Sequence, residues 1–199
     1  MGIATNDNGY TFEEFCFLIK DGEKGDLIDG VIYISSPDNT DANKLFLWLA
    51  GLMDDFVTER ELGEVFGSRV AFRLGEPHGP EPDIAFVRTE RLHLVQRGFV
   101  DGPPDLAIEI VSPDSVERDY IRKREQYRRA GVMEYWIVDE MEQRIVLLRR
   151  NTSGAYREIK PRKGVLHSKA LPGFWLRSEW LWQEPRPRKK KVLAEILKA

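Results

Sequence analysis

The sequence predicts an α/β or α+β domain built on one central sheet, and three observations carry that prediction. A long segment of helical period occupies residues 41–60, short apolar runs of strand character follow it, and a second helical segment at 114–130 is succeeded by more strands. The 199 residues suffice for one domain with a real core and are few for two.

Each element has its own signal. Thr11 followed by Glu14 has capping-box spacing, so a short helix begins there and is expected to end near Asp21-Gly22. Leu27-Ile28-Asp29-Gly30-Val31-Ile32-Tyr33-Ile34 reads as two short strands around an Asp-Gly turn. In the 41–60 helix, Leu45, Trp48, Leu49, Leu52 and Phe56 recur at helical spacing. Strands are expected at 65–74, at 83–87 after the loop Glu76-Pro77-His78-Gly79-Pro80, and at 106–111 after Pro103-Pro104. The helix at 114–130 is stopped by Gly131. Residues 134–138, 144–148 and 156–159 read as further strands. The segment 185–199 shifts to Pro and Lys/Arg and closes on Val192-Leu193-Ala194-Glu195-Ile196-Leu197, a short helix. Residues 1–184 are therefore read as the domain, and 185–199 as a basic tail.

Composition excludes several classes. An apolar fraction of 42% and a charged fraction of 32% are those of a soluble globular protein. A net charge of −3 gives no global signature of a nucleic-acid binder, although a local positive strip would suffice for one. Cys16 is the single cysteine, so no intramolecular disulfide can form; its amphipathic surroundings predict a small core residue. No window approaches the ~20 apolar residues of a membrane span and no signal-like N-terminus is visible, which predicts a cytoplasmic protein without membrane contact.

The informative residues break their local pattern. In Leu106-Ala107-Ile108-Glu109-Ile110-Val111, both alternating faces are apolar, the mark of a central strand covered on both sides, so Glu109 sits among apolar neighbours. A lone ionised carboxylate there requires a cation, a metal or donors. In the following helix, Val116, Tyr120, Lys123, Tyr127 and Ala130 form one narrow stripe, and the rest is charged, which turns Lys123 inward. Asp83, after Pro82, opens a strand where its carboxylate can meet that of a neighbouring strand. Two such carboxylates repel unless a cation lies between them. Hard divalent cations take oxygen ligands, often only one or two carboxylates. Each residue also fits a bland reading: Glu109 as the partner of a structural arginine, Lys123 with its head in solvent, Asp83 as a strand-start residue.

The ordered set Pro-Asp, strand Glu, helix Lys resembles the PD-(D/E)XK nuclease superfamily, and within it the Uma-type family of restriction-endonuclease-like proteins. The matching segments are Asp26-Leu27-Ile28-Asp29-Gly30, Glu81-Pro82-Asp83-Ile84-Ala85-Phe86-Val87, Pro104-Asp105-Leu106-Ala107-Ile108-Glu109-Ile110-Val111-Ser112-Pro113, Lys123 through Tyr127, and Gly131-Val132 with Glu134-Tyr135-Trp136-Ile137-Val138-Asp139. The resemblance spans about residues 10–180 and implies an α/β fold: a restriction-endonuclease-like core with a mixed central sheet flanked by helices. It implies a magnesium- or manganese-dependent endonuclease acting on DNA, with Asp83 and Glu109 as metal ligands and Lys123 as the catalytic cation. Asp26 would support the metal, and Gln126 and Tyr127 are further supporting candidates. The superfamily lysine usually stands two residues after the Glu, where this chain has Val111; a lysine on the following helix is the form this family uses. The chain has no histidine at 37–44, where many relatives carry one. Restriction-type nucleases often act as pairs, and with five tryptophans and ten phenylalanines a homodimer is expected.

Other features carry less. His78, His93 and His167 lack zinc-ligand spacing, phosphate loops of the Walker or dinucleotide type are absent, and neither Ser35-Ser36-Pro37 nor Ser112-Pro113 has a nucleophile-elbow context. The run Arg186, Arg188, Lys189, Lys190, Lys191 suits a solvated tail better than a nucleic-acid contact. The competing function is a nuclease fold kept as a binding or interaction module with a weak or inactive site.

Overall fold

The computed structural model of the chain describes residues 2–4, 8–19, 23–37 and 39–198, with the backbone alone for 2–4. Its centre is a six-stranded mixed sheet in the order β11-β10-β9-β8-β6-β4. These strands are β4 (Gly63–Gly67), β6 (Ile84–Arg88), β8 (Leu106–Ile110), β9 (Glu134–Asp139), β10 (Arg144–Arg150) and β11 (Tyr156–Ile159). Every pairing is antiparallel except β8 with β9, whose connection is the helical crossover at 116–130.

β8 is fully buried, as its two apolar faces predict. Leu106, Ile108 and Ile110 join the larger core beneath α2 (Thr40–Glu59), and Ala107 and Val111 join the opposite core with Tyr127, Tyr135 and Ile137. Helix α2 buries Leu45, Trp48, Leu49, Leu52 and Phe56, the stripe read from the sequence, and starts where Asn39 accepts from the Asp41 and Ala42 amides. The Asp-Gly hairpin forms between β2 (Gly25–Ile28) and β3 (Val31–Ile34), with Asp29 and Gly30 both at positive φ (50° and 75°) as a type I′ turn requires. Together with β1 (Gly2–Ala4) they form a second, three-stranded sheet.

Three expectations need correction. Helix α1 (Phe12–Leu18) has the capping box, but its buried residues are Phe12 and Phe15, while Cys16 is exposed. So short a helix buries a single i, i+3 pair, and Cys16 falls beside it. The expected helix end at Asp21-Gly22 lies outside the described residues. The strand expected over 65–74 is two: β4 ends at Gly67, Arg69 takes φ 76°, and the chain resumes as β5 (Ala71–Phe72), which pairs in parallel with β7 (Phe99–Val100). A left-handed residue between them turns the chain out of the main sheet.

The third correction concerns the crossover helix. Arg118–Lys123 is a π-helical turn, continued by α3 (Arg124–Ala130) and capped by Gly131 at φ 87°. A π turn holds an extra residue, so the phase of the face shifts within it. Val116, expected inside, is 42% exposed, while Arg118, expected outside, is 8% exposed; Asp119, four residues before Lys123, is 2% exposed. Lys123 and Tyr127 remain inside.

The C-terminal part covers the α2 side of the sheet with β12 (Val165–His167), β13 (Trp175–Arg177), α4 (Glu179–Trp182) and α5 (Lys189–Ile196). Val192 and Ile196 of α5 are buried in the larger core beside α2, so the basic segment is seated through its apolar residues. Among the described residues, no helix is long and apolar enough to cross a membrane.

Candidate active site

Strand pairing brings the two off-pattern carboxylates together. The β6–β8 register sets Ile84 against Ile108 and Ala85 against Ala107, and one step further sets Asp83 against Glu109. Directly opposed residues of an antiparallel pair point to the same face, here the face covered by the crossover helix. Asp83 is anchored to β8, its Oδ2 accepting the Ile110 N–H at 2.7 Å, while its Oδ1 pairs with the Lys24 ammonium.

Glu109 is 1% exposed, and both of its oxygens are engaged: Oε1 accepts the Tyr127 hydroxyl at 2.7 Å and Oε2 lies 3.0 Å from Lys123 Nζ. The Lys123 ammonium, 1% exposed, also lies 2.9 Å from Asp26 Oδ1 and 3.8 Å from Asp119 Oδ1. Asp26, on β2, accepts the Glu81 N–H at 3.0 Å and lies 3.2 Å from Arg118 Nε. Ser115 donates to Asp119 at 2.5 Å. Gln126 is buried nearby but donates to the Leu27 carbonyl at 3.1 Å, holding the hairpin rather than an acid. All six residues singled out from the sequence thus lie in or against one cluster, Gln126 at its edge.

Burial dominates the electrostatics. It raises Glu109 to about 8 against the pull of Lys123, Glu81 to about 7, and Asp119 to about 6. Burial would raise Asp26 too, but Lys123, Arg118 and Lys24 outweigh it and bring it below the ordinary carboxyl range. Burial works against the charge on Lys123 and Lys24; Asp26 and Glu109 for the first, and Asp83 for the second, more than compensate and hold both above the usual lysine range. Burial keeps the Tyr127 hydroxyl protonated, a permanent donor to Glu109.

Lys24, Arg118 and Asp119 were not identified from the sequence. Lys24 had a signal: it stands two residues before Asp26, on the same side of the strand by period-two alternation. Asp119 had one as well, since it stands four residues before Lys123 and so beside it on an ordinary helix; Arg118 had none, because ordinary helical periodicity places it outside.

These groups enclose a pocket of about 40 Å³ lined by Lys24, Asp83, Glu109, Ser112, Asp119 and Lys123. That is room for about one ion or water. It opens on a groove of about 550 Å³ between the start of α2 and the end of β4, lined by Asn43, Phe46, Ser68 and Arg69, which shares Asp83 and Ser112 with the pocket. Among the described residues, no three Asp, Glu, His or Cys side chains converge as a preformed metal cage. The donors present still fit a hard cation: two carboxylates on one face, each oxygen with spare acceptor capacity, the remaining positions falling to water or substrate oxygen.

A family model described as "Uma2: Putative restriction endonuclease" matches residues 11–179. Among solved structures, the fold is similar to that of "a putative nuclease belonging to DUF820 from Anabaena variabilis", with TM-score 0.72 and 19% identity, covering 86% of this chain and 97% of that one. No curated protein matches the chain.

Proposed function

The chain belongs to the Uma2 family and has a nuclease-like α/β fold, and from that premise we propose that it hydrolyses DNA phosphodiester bonds as a magnesium- or manganese-dependent endonuclease. The observation that supports this most is the ammonium of Lys123, fully buried between Asp26 and Glu109 on the face that carries Asp83. A buried ion cluster of this size is a poor device for stability, because its desolvation cost is large. It suits a site where charge must be held in place for a reaction.

Asp83 and Glu109 would hold the ion, Tyr127 fixing the rotamer of Glu109 and the Ile110 amide fixing that of Asp83. Such an ion would neutralise charge on the phosphoryl group and make a water more acidic. Lys123, oriented by Asp26, would place its positive charge beside the phosphate as negative charge develops there. Arg69 and Phe46 in the adjoining groove suit a phosphate and a base. Cutting both strands of a duplex would require two such sites, and light scattering at tens of micromolar is expected to give a dimer mass.

The second reading, a nuclease fold serving as a nucleic-acid-binding or interaction module, draws on the Lys24–Asp83 pair, which already neutralises one of the proposed ligands. A cleavage screen over single-stranded, duplex and branched DNA and RNA, with and without magnesium or manganese, separates the two. Metal-dependent cleavage lost in Asp83→Asn supports the enzyme. Binding without cleavage under every condition supports the module.

A further inference from the structure

Asp83 is engaged at both oxygens by partners of unlike permanence. The Ile110 amide is part of the β8 backbone. Lys24 has its root fixed by backbone bonds, its carbonyl accepting the Ser35 N–H at 2.9 Å and the next amide, that of Gly25, donating to Glu81 at 3.1 Å, while its ammonium pairs with the Asp83 side chain. The Lys24 side chain is 17% exposed against 2% for Lys123, which is gripped by Asp26 and Glu109. It shares its stretch of pocket wall with Ser35 and Ser36. Of the two lysines, Lys24 is the more exposed and is paired with one carboxylate, where Lys123 meets three.

We propose that Lys24 is a displaceable counter-ion of Asp83, one that must release the carboxylate before a divalent cation can be held there. The inference rests on Asp83 and Glu109 being the cation's ligands. An ammonium and a divalent cation on one carboxylate repel each other, and the enclosure screens them weakly. Lys24 thereby sets the cation concentration at which the site fills. Without a divalent cation, it balances the Asp83 carboxylate, as Lys123 balances that of Glu109.

The test is calorimetric titration of manganese into the chain and into Lys24→Met and Lys24→Gln, each verified as folded by circular dichroism. Glutamine still donates to Asp83 but carries no charge, so it covers the case in which methionine leaves the site too unstable. Both variants should bind about tenfold more tightly, the usual effect of removing one nearby competing charge. The gain should vanish in Lys24→Met/Asp83→Asn. Unchanged or weaker binding by folded variants, beside measurable binding by the parent chain, overturns the counter-ion and leaves the ligand reading standing. A gain that persists without the Asp83 carboxylate overturns it as well. Binding by the variants alone supports it in its strongest form. Binding by none of the proteins overturns both it and the ligand reading.

Discussion

Tyr127 donates its hydroxyl hydrogen to Glu109 Oε1 at 2.7 Å from one turn beyond Lys123, whose ammonium meets the other oxygen of the same carboxylate at 3.0 Å. One helix therefore supplies both partners that hold Glu109 in position. Tyr127→Phe removes the uncharged partner alone. It should destabilise the fold by about 1.5–3 kcal/mol, the range for a buried hydrogen bond to a charged group, and weaken metal binding by loosening Glu109. Chemical denaturation and calorimetry check the two effects; a variant with parental values in both would remove Tyr127 from the site.

Lys123→Met should have a larger effect. It strands Asp26 and Glu109 without their shared cation, and breaking a buried ion cluster from one side costs about 3–5 kcal/mol. Cleavage should fall by about 10² to 10³ under single-turnover conditions, while manganese binding persists or tightens. Near-parental cleavage by the folded variant would return the role of catalytic cation to another side chain.

The bland reading of a buried glutamate applies to Glu134 on the next strand. It is fully buried, and it accepts from Arg149 at 2.7 Å, Ser168 at 2.6 Å and the Lys169 amide at 2.8 Å. Arg149→Ala should therefore cost about 2–3 kcal/mol in stability and leave manganese affinity unchanged. A change in metal affinity would mean that this network communicates with the site.

Stability should depend on pH with a defined sign. The unfolded carboxyls titrate near 4.5, whereas in the fold Glu109 sits at about 8 and Glu81 at about 7. Between those values the folded state holds protons that the unfolded chain has released, so the contribution of these groups is full below the unfolded value and is lost as pH rises through the folded ones. Asp26, lowered by its cations, acts oppositely and loses its contribution as pH falls below the ordinary aspartate value. Without divalent cations, the melting temperature should fall from about pH 5 to about pH 8, and less steeply in Glu109→Gln. Equal slopes for the two proteins would contradict the raised value at Glu109.

Most of this arrangement was legible in the sequence for one reason: a charge in an apolar register is conspicuous. Glu109 in a doubly apolar strand and Lys123 on a packed stripe stand out by periodicity alone, and Asp83 follows from strand pairing. Lys24 was harder to find because it precedes its strand, where alternation is a weaker guide. Arg118 was hidden because its inward orientation depends on a local change of helical geometry, which residue spacing at 3.6 per turn does not encode, whereas Asp119 was overlooked although that spacing sets it beside Lys123. The break at Arg69 was missed for a similar reason, since nothing in that residue type announces a left-handed backbone.

The π turn at Arg118–Lys123 makes the length of this segment a variable in its own right. Removing one residue from it would allow the helix to relax to ordinary winding, and everything on one side of the deletion would rotate by about 100° relative to the other. Lys123 and Tyr127 could then not both face Glu109 while Arg118 stayed against Asp26, even though every remaining side chain kept its chemistry. The segment can absorb exchanges of residue type on its outer face, where Ile121 is 63% exposed, far more readily than a change in residue count. Comparisons that slide a gap into this stretch would pair residues pointing in different directions.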